Sequence, residues 1–158
     1  MNFLLDKHKK ILIDLVESRV DFLLVGGYAV IFYGYARTTG DMDLWLKPDN
    51  DNKIKFLSVL EKYLTDKSGI EKVKKLDFTD VVAFHIGSPP EKVDFLTKIA
   101  GVNFDDAFLH KACLSIQNYQ IPVLHLNDLI ANKLLSARLK DKADVEELQK
   151  INFAKQKK

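Results

Sequence analysis

Two aspartates separated by one residue, Asp41 and Asp43, are well suited to bind a hard cation in this sequence of 158 residues. On a predicted strand, residues i and i+2 point to the same side and lie roughly 6.5 Å apart. Met42 and Leu44 alternate with the two acids and would point into the core. Two carboxylates on one side repel each other unless a cation lies between them, and Mg²⁺ favours such oxygen ligands. The motif alone leaves open the alternative that both acids are solvated turn residues after Gly40.

A third acid, Asp94, lies between the apolar residues Val93 and Phe95 in another predicted strand. An acid framed in this way usually points to a different face of the strand from its neighbours. If this strand lies next to the one that carries Asp41 and Asp43, a spacing of about 4.8 Å brings Asp94 within reach of the same cations. Three carboxylates can hold two metal ions about 3.5–4 Å apart.

A pair of glycines, Gly26-Gly27, follows an apolar stretch and precedes a short apolar segment that reads as a helix. Glycine has no Cβ, so its backbone N–H groups can approach a phosphate closely. The amino terminus of a helix adds a dipole that favours an anion. A tight strand-to-helix turn without any ligand explains the pair equally well.

The apolar periodicity predicts alternating helices and short strands, which is typical of an α/β (α+β) protein built around a mixed sheet. The predicted helices cover 3–18, 28–35, about 51–64, 104–109, 126–139 and 142–151, and residues 66–77 are expected to be a loop. The predicted strands cover 22–25, 42–46, a hairpin of 81–86 with 92–96, and a pair formed by 114–116 and 121–123.

The organisation is expected to be one domain over residues 1–158, with a core at about 1–100 and a strand pair and helices at about 103–151. The basic tail, 152–158, is expected to fray into solvent.

A net charge of +2 gives no overall signature of a dedicated nucleic-acid binder. The single cysteine, Cys113, excludes an internal disulfide and is expected to be buried in a strand. Without a signal peptide or a membrane-length apolar run, a cytoplasmic location is expected.

The order of these motifs resembles the DNA polymerase β-like nucleotidyltransferase superfamily. It consists of Leu24-Val25-Gly26-Gly27, then Asp41-Met42-Asp43-Leu44, then Val93-Asp94-Phe95. The segment VGGYAVIFYGYARTTGDMDLWL is similar to small bacterial members related to the AbiEii-type toxin nucleotidyltransferases. The likeness covers residues 22–46 and 80–96, and the later helices match less specifically. It implies the minimal nucleotidyltransferase fold, a mixed sheet flanked by helices with the C-terminal helices packed beside it.

The resemblance also implies roles for individual residues. Asp41 and Asp43 would be ligands of two Mg²⁺ ions, with Mn²⁺ as a possible substitute, and Asp94 would be a third ligand and the general base. The nucleotide-binding residues would be Gly26, Gly27, Arg37, Thr38 and Lys133. Arg37 could instead pair with a carboxylate, and Lys133 could extend to water. Asp141 is expected to cap the last helix, and Asp144 is left open between a site role and a structural one.

The function that the resemblance implies is transfer of a nucleoside monophosphate (NMP) from a nucleoside triphosphate (NTP) such as ATP to an acceptor hydroxyl. The acceptor could be RNA (for example a tRNA end), a protein or a small molecule. The alternatives are a non-catalytic nucleotide- or partner-binding module, such as one half of a toxin–antitoxin pair, and an interaction protein whose three carboxylates never meet. The histidines His85, His110 and His125 lack metal-ligand spacing, and Trp45 and Phe32 are expected in the core.

Overall fold

A computed structural model describes residues 3–157. The seven helices in this range are α1 (Asp6–Glu17), α2 (Gly26–Phe32), α3 (Asn50–Tyr63), α4 (Lys67–Lys74), α5 (Phe104–Leu109), α6 (Leu126–Leu134) and α7 (Leu139–Gln156). The six strands are β1 (Phe22–Val25), β2 (Met42–Leu46), β3 (Ala83–Ile86), β4 (Val93–Leu96), β5 (Ala112–Ile116) and β6 (Tyr119–Val123).

The six strands form one mixed sheet in the order β3-β4-β2-β1-β6-β5. β2 runs parallel to β4 and antiparallel to β1, and β1 runs parallel to β6. The two outer pairs, β3–β4 and β5–β6, are antiparallel and correspond to the predicted hairpin and the predicted strand pair. All four residues of β1 are buried, as are Met42 and Leu44 of β2, so the centre of the sheet lies in the core. The predicted mixed α/β class is confirmed.

Aromatic side chains fill the core behind β2 and β4. Phe56 of α3 packs edge-on against Phe95 of β4 with ring centroids 4.8 Å apart. Trp45 is 2% exposed, and its indole N–H donates to the carbonyl of Thr97 at 3.0 Å. The prediction that Trp45 belongs to the core is confirmed, whereas Phe32 is only partly buried against it.

The predicted loop at 66–77 is wrong, because α4 occupies Lys67–Lys74. The Asp66 carboxylate accepts a hydrogen bond from the backbone N–H of Ser68 and caps the helix. Val73 is buried on the inner side of α4 while its lysines remain in solvent. The many lysines therefore form the outer face of a short amphipathic helix rather than a disordered segment.

Two further predictions fail near the C-terminus. The helix expected over 126–139 ends at Leu134, and α7 then runs from Leu139 to Gln156, so residues 152–156 are helical rather than frayed. Ile151 packs against the core, and the side-chain amide of Asn152 donates to Asn127 at 3.1 Å, which ties this end of α7 to α6. Lys158 lies outside the described residues.

Cys113 is exposed and not buried as expected. It lies on the edge strand β5, where successive side chains alternate between the two faces. Leu114 and Ile116 take the inner positions, which leaves Cys113 on the solvent face. Among residues 3–157, no helix has the length and apolar character needed to cross a membrane.

Candidate active site

The parallel pairing of β2 with β4 brings the three predicted acids together. Asp43 lies opposite Asp94 in the register, and Asp41 immediately precedes β2. All three side chains line one cleft of about 390 Å³. Among the rival hypotheses, the one in which these carboxylates never meet is therefore wrong.

The two glycines form the wall of the cleft next to Asp43. α2 begins at Gly26, two residues earlier than expected, and Gly26 has a φ of +65°. A Cβ at Gly26 would lie 2.2 Å from Asp43 Oδ2, and a Cβ at Gly27 would lie 2.6 Å from the hydroxyl oxygen of Thr39. Glycine is thus required here both by the turn and by the close approach of Asp43 to the backbone.

Burial and charge repulsion raise the pKa of Asp43 to about 6. Burial is the largest cause, followed by the negative charges of Asp94 and Asp41, while Lys133 and Lys140 act in the opposite direction. Burial and two neighbouring carboxylates thus both disfavour the charged form of Asp43, and a cation bound beside it would favour that form.

The raised pKa of Asp43 predicts how stability depends on pH. Its pKa rises from an ordinary value of 3.8 to about 6 on folding, so between these values the folded chain keeps a proton that the unfolded chain releases. The free energy of unfolding should therefore fall by roughly 3 kcal/mol as the pH rises through this window. Denaturant titrations from pH 4 to 8 in EDTA should show this fall in the wild type and not in Asp43→Asn. Parallel curves for the two proteins would contradict the prediction.

Lys92, which the sequence analysis does not single out, also faces the carboxylates. Its ammonium nitrogen lies 3.4 Å from Asp94 Oδ1 and 3.8 Å from Asp41 Oδ2. Within residues 3–157, no three Asp, Glu, His or Cys side chains already stand in the arrangement of a metal site. The three acids share a cleft, and the ammonium group of Lys92 lies against two of them, Asp41 and Asp94.

A network of buried charges closes the opposite side of the cleft. Lys133 of α6 contacts Asp141 at 2.8 Å and Asp144 at 3.0 Å, and all three residues are buried. Arg37 meets the same Asp144 with its Nε and Nη2 atoms at 2.8 and 2.9 Å. Of the two alternatives for Arg37, pairing with a carboxylate is the one observed, although the pair is buried rather than on the surface.

Asp141 does not cap the last helix as expected. The N-cap of α7 is Arg138, which makes no side-chain capping bond. Burial opposes ionisation of Asp141, but hydrogen bonds from Lys133, Ser136 and Arg138 outweigh it and hold its pKa well below the usual range. Asp141 is thus an ionised partner of Lys133 inside the cleft wall.

Thr38 is the one predicted nucleotide-binding residue that does not line the cleft. It is exposed, and the neighbouring Thr39 lines the cleft in its place. The segment before Asp41 is extended, so alternate residues face inwards and Arg37 and Thr39 share a side. The histidines lie elsewhere: His125 accepts a hydrogen bond from the N–H of Asn127, and His85 and His110 are exposed.

Comparison with known proteins identifies a matching family and a shared fold. A family model described as "Nucleotidyl transferase of unknown function (DUF2204)" matches residues 4–158. No curated protein matches the sequence.

Solved structures with the same fold include three nucleotidyltransferase-type proteins of low sequence identity. A protein from Thermotoga maritima assigned as a nucleotidyltransferase has 13% identity and a TM-score of 0.56, with 96% of this chain and 91% of that chain covered. The lincosamide antibiotic adenylyltransferase LnuA, bound to lincomycin, has 14% identity and a TM-score of 0.56, with coverages of 96% and 99%. An antigenic nucleotidyltransferase-like protein from Paracoccidioides brasiliensis has 13% identity and a TM-score of 0.58, with coverages of 90% and 72%. At such identities the likeness establishes the fold.

Proposed function

We propose that this chain, which belongs to the nucleotidyltransferase family whose model matches residues 4–158, transfers an NMP from an NTP to an acceptor hydroxyl. The observation that carries the proposal is the meeting of Asp41, Asp43 and Asp94 in one cleft beside the Gly26-Gly27 turn. A chance Asp-x-Asp would not be expected to find a third carboxylate opposite it in the sheet register.

The side chains of the cleft fit divalent magnesium. Its potential ligands are carboxylate oxygens, which hard cations prefer, and three of them, on Asp41, Asp43 and Asp94, line the same cleft. Asp41, Asp43 and Asp94 would hold two Mg²⁺ ions, or Mn²⁺ in their place. Bound metal would stabilise the charge that develops on the attacking and leaving oxygens.

The remaining residues of the cleft would orient the triphosphate and move one proton. Asp94 would accept the proton of the acceptor hydroxyl while the oxygen of that hydroxyl attacks the α-phosphorus. The bond between the α-phosphorus and the oxygen that bridges it to the β-phosphorus would break, which releases pyrophosphate. Gly26, Gly27, Lys133 and Arg37 line the cleft and would face the phosphates. Most of the catalysis would then come from positioning and electrostatics.

The acceptor class stays open among RNA, a protein and a small molecule. The similarity of residues 25–46 to AbiEii-related proteins supports a relationship to that group, and with it a cytoplasmic location and an antitoxin-like partner protein.

Transfer of label from an α-³²P-NTP tests the proposal directly. The protein, Mg²⁺ and cell extract are incubated with each of the four NTPs, and the RNA, protein and small-molecule fractions are counted. We expect Mg²⁺-dependent label above that of the extract alone in one fraction, no such excess when the label is on the γ-phosphate, and none with an Asp41→Asn/Asp43→Asn double variant. NTP binding without transfer in any fraction would instead favour the non-catalytic binding module.

A further inference from the structure

Lys92 owes its position to the same sheet register that pairs the acids. Met42 lies opposite Val93, and the N–H of Met42 donates to the carbonyl of Lys92 at 3.1 Å. Lys92 therefore stands one residue before β4, just as Asp41 stands one residue before β2. Because alternate residues of a strand share a face, Lys92 lies on the same face as Asp94.

The contacts of Lys92 are those of a loosely held counter-ion. Its distances of 3.4 and 3.8 Å to Asp94 and Asp41 exceed the roughly 2.7–2.9 Å of a charge-assisted hydrogen bond. Its side chain is 26% exposed, so its flexible four-carbon stem has a path into solvent. Lys133 differs on each point, because it is 5% exposed and held at 2.8 Å by Asp141.

We propose that Lys92 is a built-in counter-ion of the carboxylate cleft, which competes with a divalent cation for Asp41 and Asp94. This inference rests on the proposed function, since it takes these acids as the metal ligands. When no metal is bound, the ammonium group neutralises part of their repulsion. Metal binding then requires it to withdraw, so the bare cleft binds a divalent cation more weakly than its three carboxylates alone would.

The competition would couple metal binding to nucleotide binding. Mg²⁺ in such sites is usually held by one or two carboxylates together with the phosphates of the substrate. With Lys92 lowering the affinity of the carboxylates alone, the phosphate oxygens of the NTP would supply the additional ligands needed for full occupancy. The cleft would thus load metal together with its substrate.

Titration with Mn²⁺ alone, followed by the electron paramagnetic resonance signal of the free ion, tests the inference without any activity measurement. Lys92→Met should lower the Kd for Mn²⁺ roughly tenfold relative to the wild type, since it removes one positive charge next to two ligands. Lys92→Arg should keep the wild-type Kd. The metal-free Lys92→Met protein should also melt at a lower temperature than the wild type, and Mn²⁺ should raise its Tm by more.

Lys74→Met is the matched control. Lys74 pairs with Glu71 at 3.1 Å on α4 rather than with an acid of the cleft, so its removal should leave the Kd unchanged. An unchanged or higher Kd for Mn²⁺ in Lys92→Met overturns the proposed role of Lys92. If Asp43→Asn abolishes Mn²⁺ binding in the same series, the metal site of the proposed function is still supported. Failure of both the wild type and Lys92→Met to bind Mn²⁺ overturns both ideas. Lys92→Gln, which removes the same charge, replaces Lys92→Met if that variant does not fold.

Discussion

Replacing Asp43 by asparagine should lower the kcat for nucleotidyl transfer by about a thousandfold or more. The substitution keeps the shape of the side chain and removes the charge that faces Asp94 across the β2–β4 pairing. A loss of this size corresponds to about 4 kcal/mol of transition-state stabilisation, as expected when metal-assisted charge stabilisation is lost. Steady-state rates with saturating NTP and Mg²⁺, once the labelling experiment has identified the acceptor, provide the measurement.

Asp51→Asn is the matched control for this loss. Asp51 is an exposed acid in the first turn of α3, away from the cleft, and its substitution should leave kcat within about twofold of the wild type. Misfolding cannot explain the loss in Asp43→Asn if that variant is at least as stable as the wild type above pH 6, as the raised pKa of Asp43 predicts. An Asp43→Asn protein that retains a tenth or more of the wild-type kcat would remove Asp43 from the metal site.

The meeting of the three acids was predictable because local patterns determine most of it. Gly26-Gly27 ends one buried strand, and the acids at 41, 43 and 94 alternate with apolar residues that must face the core. Once the two acid-bearing strands are neighbours, alternation alone places the carboxylates on a common face. The required step was the adjacency of β2 and β4, which the family resemblance supplied.

The charge network across the cleft could not be predicted in the same way. Asp141 and Asp144 are one helical turn apart, a spacing that fits a capped helix as well as a site. The partner of Asp144 is Arg37, which lies 107 positions earlier and reaches it only after the chain has folded. Lys92 was missed because its charge is typical of a hairpin turn, and only the register shows which acids it meets.

Local signals for α4 were present in the sequence, but composition masked them. Asp66 and Ser68 give the spacing of a helix cap, and Ile70 and Val73 are three residues apart on the inner side. Four lysines and Gly69 within this stretch favoured a loop. A lysine-rich helix is stable here because a single buried residue, Val73, anchors it to the core.

Asp144→Asn should be the most destabilising of the charge-removing substitutions in the cleft. Asp144 is fully buried and compensates two cations, Arg37 and Lys133, at distances of 2.8–3.0 Å. Removing its charge leaves both cations partly unpaired in a site with little water. The free energy of unfolding should fall by about 3–5 kcal/mol, the usual effect of breaking a buried ion pair, and Tm should fall by roughly 10 °C.

Denaturant unfolding of a double-mutant cycle separates this pairing from a general packing defect. Combining Asp144→Asn with Arg37→Gln should destabilise the fold by about 1–3 kcal/mol less than the sum of the two single variants. The reason is that each substitution removes the charge that the other one leaves without a partner. Glu71→Gln is the control, since it breaks the exposed pair with Lys74 and should change stability by less than about 1 kcal/mol. Strict additivity of Arg37→Gln and Asp144→Asn would show that the two side chains do not stabilise each other. In that case Arg37 could move from Asp144 to a triphosphate at little cost to the stability of the fold.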